Sequence, residues 1–125
     1  MLFRSIPICY REAWVNSRGR LQLEHQVAEA LKRMPDDARV MIYTSEYVGA
    51  LQQAGIHFTR TVNESTRYGW DAGLSAPWAV ADFVVAVKGD PVDAAVERNP
   101  RGLTKLSIIH VLDKPEVSIY RSQRR

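Results

Sequence analysis

Short apolar runs alternate with helical periodicity along this chain, and that alternation restricts the fold more than any other feature. Phe83–Val87 is the clearest strand, five residues with four bulky apolar side chains. A continuous run of this kind suits a parallel strand buried on both faces. Val40–Tyr43 reads the same way, and Ser5–Tyr10 and Ile56–Val62 are further strand candidates, with Pro7 marking a start or an edge. Leu23, Val27, Leu31 and Met34 recur at spacings of four, four and three, which places them on one face of a helix that Pro35 ends. A second helix, Glu46–Ala54, runs into Gly55, where a left-handed cap is wanted. A third begins near Ser65 and is broken or ended by Pro77. Asp90-Pro91-Val92-Asp93 opens a fourth with an acidic cap, a proline whose missing N–H costs nothing there, and an acid in the first turn. Asn99-Pro100-Arg101-Gly102 closes it. Leu103–Leu112 and Glu116–Tyr120, joined by Asp113-Lys114-Pro115, suit an antiparallel hairpin.

The order β-α-β-α-β-α-β-α-β-β implies an α/β protein: a three-layer, Rossmann-like sandwich with a mainly parallel sheet and helices on both faces. The C-terminal strand is expected to run antiparallel at one edge. The 125 residues match one domain, since domains cluster near ~100–150 residues, so residues 1–125 are read as a single α/β domain.

Charge narrows the function classes. The 17 Lys and Arg exceed the 14 Asp and Glu by three, and Arg121, Arg124 and Arg125 account for the excess. A nucleic-acid binder carries a basic face on its fold, whereas this excess reads as a terminal tag, Arg121-Ser122-Gln123-Arg124-Arg125, on a neutral body, and deleting Ser122–Arg125 should leave the fold intact. No nucleic-acid partner is expected. Cys9 is the single cysteine, which forbids an intrachain disulfide. The longest run free of charged residues, Tyr47–Thr59, is 13 residues, against the ~20 apolar residues a spanning helix needs. The chain is expected to be soluble, and its start lacks the apolar core of a signal peptide.

In open α/β sheets ligands gather outside the carboxyl ends of the strands. That rule selects the loops Arg11–Arg20, Thr44-Ser45-Glu46, Asn63–Arg67 and Lys88-Gly89-Asp90. The candidate anion site comprises Arg11, Asn16, Ser17, Arg18, Arg20, Thr44, Ser45, Glu46, Asn63, Lys88 and Asp90. Arginines ahead of a helix start can clamp a phosphate or carboxylate in bidentate geometry. The competing reading is structural: Asn16 or Ser17 caps the first helix, the arginines pair with Glu12 or Glu24, and Thr44 or Ser45 caps the second helix. Neither glycine-rich phosphate fingerprint is present. His110, near the end of a strand, could serve Ser45 as a base, though a structural histidine explains it equally. The spacings of His25, His57 and His110 match no metal motif, and no metal or cofactor is expected. Asn63-Glu64-Ser65 fits the glycosylation pattern. Trp70 and Trp78 read as core cover or as stacking platforms.

Several segments together carry a family resemblance: Arg11-Glu12-Ala13-Trp14-Val15-Asn16-Ser17-Arg18, Tyr43–Gly55, Asn63-Glu64, Ala81–Ala86 and Gly89-Asp90-Pro91-Val92. The chain resembles the soluble carboxyl-terminal domain that follows the membrane helices in bacterial integral-membrane glycosyltransferases of the dolichyl-phosphate-mannose and aminoarabinose type. The resemblance implies a non-catalytic accessory domain on the extracytoplasmic face, docked on the membrane portion of the same polypeptide or helping to bind an acceptor. Catalysis in such enzymes belongs to acidic loops of the membrane portion, so no catalytic residue carries over. The alternatives are a free-standing, cytoplasmic Rossmann-like protein binding a nucleotide or sugar phosphate, and a small hydrolase or transferase using Ser45 and His110. An open edge strand could also pair two copies into a homodimer.

Overall fold

The computed structural model describes residues 19–44 and 47–123. The expected strand Ser5–Tyr10 lies outside them, as do Arg11, Asn16, Ser17, Arg18, Ser45, Glu46, Arg124 and Arg125.

Helix α1 covers residues 19–32. Strand β1 (Val40–Met41), α2 (Val48–Ala54), a 3-10 turn (Phe58–Arg60) and β2 (Thr61–Val62) follow. Then come α3 (Arg67–Ser75), α4 (Pro77–Val80), β3 (Phe83–Val87), α5 (Pro91–Arg98), β4 (Leu103–Ile109) and β5 (Val117–Ser122). They form one five-stranded sheet in the order β2-β1-β3-β5-β4, with β2, β1 and β3 parallel and β5 antiparallel to both its neighbours.

The alternation of side chains along β3 divides the core. Phe83, Val85 and Val87 join Leu23, Val27, Leu31, Ala50 and Leu51 in a cluster under α1 and α2. Val84 and Ala86 point the other way, toward Val92 and Val96 of α5, with Trp70, Leu74 and Val80 of α3 and α4 packed alongside. All five residues of β3 are buried, so an unbroken apolar run was required there. The expected α/β sandwich is therefore the architecture. The periodic helix residues Leu23, Val27, Leu31 and Met34 are buried at 5, 0, 1 and 8% exposure, and Gly55 caps α2 at φ 72°.

Three expectations need correction. The C-terminal strand is antiparallel but does not lie at the edge; it fills the place between β3 and β4. The crossover through α5 carries β4 two positions beyond β3, and the returning hairpin strand takes the vacant position between them with ladder partners on both sides. Second, only Thr61–Val62 of the Ile56–Val62 segment pairs as strand; Phe58–Arg60 turns, with the Thr61 hydroxyl donating to the Phe58 carbonyl at 2.8 Å. Third, the basic tail is not merely appended. Arg121 and Ser122 belong to β5, Ser122 is 1% exposed, and its hydroxyl donates to the Trp78 carbonyl at 2.7 Å. Its N–H donates to the Asp82 carbonyl at 2.9 Å. Among the described residues no helix is long and apolar enough to cross a membrane.

Candidate functional site

The connections leaving β1 and β3 diverge. From β1 the chain passes through α2 on one face to β2; from β3 it passes through α5 on the opposite face toward β4. Right-handed crossovers in opposite directions require opposite faces, and two neighbouring strands that feed such crossovers leave a crevice between their carboxyl ends. A cleft of about 370 Å³ opens there, lined by Tyr43 and Tyr47 from the β1 side and by Lys88, Gly89, Asp90 and Pro91 from the β3 side. Pro115, from the β4–β5 loop, closes one wall.

A second cleft of about 370 Å³ adjoins it, sharing Tyr47 and Pro115, with Arg20 and Glu24 of α1 facing Asp113 and Lys114. Glu24 is turned toward α2: it accepts from the Gln53 amide at 3.5 Å and fills the space that a Cβ on Gly49 would occupy. Among the described residues Arg20 and Lys114 are the cations that line this opening, with Asp113 beside them.

The aromatic wall is fixed by packing. Tyr43 stacks on Trp70 with centroids 6.1 Å apart and planes inclined by 28°. Tyr47 is 6% exposed and is held through its N–H, which donates to the Thr44 carbonyl at 3.1 Å. Trp70 thus belongs to the core and backs a cleft residue at the same time. Trp78 lies elsewhere, under the Arg101 guanidinium at 5.7 Å.

Asp90 shapes the opposite wall. One carboxylate oxygen accepts from the Asp93 N–H at 2.7 Å and the other from the Val87 N–H at 3.4 Å, so the expected cap on α5 is present. The Asp93 carboxylate accepts from the Gly89 N–H at 3.1 Å, and Gly89 makes the tight turn at φ 90°. Burial, aided by the charge on Asp93, pushes the Asp90 pKa up to about 6 from 3.8. Pro91 has no N–H to offer, and the neighbouring donors are taken by two carboxylates. The start of α5 is therefore built against a phosphate, and an anion would be held on the Arg20–Lys114 side.

Of the residues expected from sequence, Arg20, Lys88 and Asp90 line the clefts. Thr44 and Asn63 reach the same rim but are engaged structurally. Thr44, 8% exposed, donates from its N–H to the Glu64 carboxylate at 3.0 Å and from its hydroxyl to the same carboxylate. It does not cap α2, whose N-cap is Tyr47 without a side-chain bond; Glu64 reaches across from the next loop and takes the hydroxyl instead. Asn63, 5% exposed, donates to the Thr61 hydroxyl at 2.6 Å and accepts from the Ser65 N–H at 2.8 Å. Its amide is buried, away from any modifying enzyme. His110 is exposed and lines neither cleft. Among the described residues no three His, Cys, Asp or Glu side chains converge as a metal site.

Tyr43, Tyr47, Lys114 and Pro115 were not anticipated. Tyr43 closes the apolar run of β1, and Lys114-Pro115 was read only as a hairpin connection. The carboxyl-end rule, extended to the end of β4, would have selected that loop. Compared with family models, with curated proteins and with solved structures, the chain matches none.

Proposed function

We propose that this chain is a non-catalytic α/β domain that binds a small anionic, ring-bearing ligand of the sugar-phosphate or nucleotide class across the two adjoining clefts. The carrying observation is that the crevice between the diverging strands β1 and β3 coincides with an open cleft walled by Tyr43 and Tyr47, next to Arg20 and Lys114. Aromatic faces suit the ring, and paired cations suit the phosphate. Together the clefts have the volume of small-molecule sites, roughly 300–1,000 Å³.

The sequence resemblance supplies the setting for this reading. The domain would sit on the extracytoplasmic face beside the membrane portion of a glycosyltransferase and admit or orient an acceptor there.

Calorimetric titration with glucose 1-phosphate and with uridine monophosphate tests the binding. Saturable heat is expected for at least one, weakened at least about tenfold in the Arg20→Ala/Lys114→Ala double variant. Absence of heat with both compounds at millimolar concentration contradicts it. The setting is tested separately: a multi-helix segment should be encoded upstream of Met1 in the same reading frame, and a stop codon immediately upstream rejects it.

A further inference from the structure

The two edges of the sheet are protected very differently. At one, β2 pairs over two residues and the 3-10 turn precedes it directly. At the other, β4 is seven residues long, and Thr104–Ile108 are exposed in succession. Leu106 is 49% and Ile108 51% exposed. Strand β4 contains neither proline nor acid, and its single charge is Lys105. Among the described residues no strand pairs with the outer side of β4, and an edge of this length with open N–H and C=O groups is a template for another strand.

Its surroundings specify which kind. The ladder shifts register between Lys105 and Ser107, and both Leu106 and Ser107 line a groove of about 200 Å³ against Ala30, Met34, Phe83 and Ile119. Arg33 stands at the wall of this groove. Arg121 stands beside it: it is the ladder partner of both Phe83 and Thr104, and cross-strand partners share a face. On the opposite face Lys105 lies over the Tyr120 ring at 5.6 Å. Of the nearby α1 charges, Glu29 is already paired with Lys32 at 3.2 Å. The edge is thus apolar in the middle and basic on both faces. A second copy would bring Lys105, Arg33 and Arg121 against their own kind, and a bulge in mid-strand discourages pairing of identical edges.

We propose that the β4 edge is a docking site for an extended acidic peptide segment, which adds to the sheet as a sixth strand. Its main chain takes the outward N–H and C=O groups of β4, one apolar side chain seats between Leu106 and Met34, and flanking carboxylates meet Arg33, Arg121 and Lys105. This is strand addition, with backbone bonds giving affinity and pockets giving selectivity. It is independent of the small-ligand clefts.

The test uses an amide-capped peptide of alternating Glu and Val, eight residues long, titrated into the isotopically labelled chain. Amide perturbations should concentrate at Leu103–Ile109 and around Arg33, with binding weakened by rising salt. The Arg33→Glu/Arg121→Glu variant should bind at least about tenfold more weakly, with an unchanged circular dichroism spectrum. A peptide N-methylated on alternate residues should not bind. The proposal is overturned if the acidic peptide leaves β4 unperturbed at millimolar concentration, or if a Lys-Val counterpart binds equally. Concentration-dependent dimerisation through the same amides without peptide would assign the edge to a second copy and also overturn it.

Discussion

The two halves of the sheet put backbone and side chains to opposite uses. In the parallel half, β2, β1 and β3 are buried at every position, because helices cover both faces. These strands offer a ligand little beyond their ends, such as Val87 at the cleft wall; what is available is the crevice their diverging connections leave at the carboxyl rim. In the antiparallel half, β5 is largely covered, while β4 leaves five residues exposed. Burial makes one half a scaffold for loops. Exposure makes the other half a surface in itself.

If that contrast is correct, equal truncations should have unequal costs. Ile42, 0% exposed beneath α1 and α2, should cost about 2–5 kcal/mol on substitution by alanine, measured by urea unfolding. Deleting Ser122–Arg125 should come next, at about 2–3 kcal/mol, since two backbone bonds and the Ser122 hydroxyl bond are lost at roughly 1 kcal/mol each. An unchanged denaturation midpoint would return these residues to the status of an appended tail.

A smaller effect separates the crevice wall from the scaffold by pH. The folded-state pKa of Asp90 is raised from 3.8 to about 6, so its contribution to stability is fully present below about pH 4 and is lost as pH rises through about 6. Asparagine keeps the cap without acquiring charge. Asp90→Asn should therefore gain melting temperature relative to the parent chain at about pH 8 but not at about pH 4. Because the carboxylate is only partly buried, solvent screening limits the gain to about 1 kcal/mol or less. A difference that is flat across this range would contradict the assignment. Smallest of all, Leu106→Ala at the β4 edge should cost less than about 1 kcal/mol; a loss equal to that of Ile42→Ala would erase the contrast between the halves.

What could be read from sequence was local. Phe83–Val87 and the Asp90-Pro91 helix start each carry their own physical signature within a few residues, and both stand where expected. The position of β5 was not legible, because strand order is decided by how far the α5 crossover travels across the sheet. Ser122 was misread for a related reason. Three nearby arginines mark the terminus as polar, yet the alternation of Ser118, Tyr120 and Ser122 continues a ladder whose partners lie far away in sequence. Arg20, Lys88 and Asp90 followed from the carboxyl-end rule. Lys114 follows only when that rule is extended to the end of β4, and that its loop shares one cleft with Tyr47 is shown by the folded chain alone.

The central claim is that the crevice between β1 and β3 binds a small anionic ligand, and amide-resolved NMR titration with uridine monophosphate and glucose 1-phosphate tests it most directly. The account predicts saturable shifts at Arg20, Tyr43, Tyr47, Gly89 and Lys114, lost together in the Arg20→Ala/Lys114→Ala variant. Saturable shifts confined to other surfaces, or none with either compound, would contradict it.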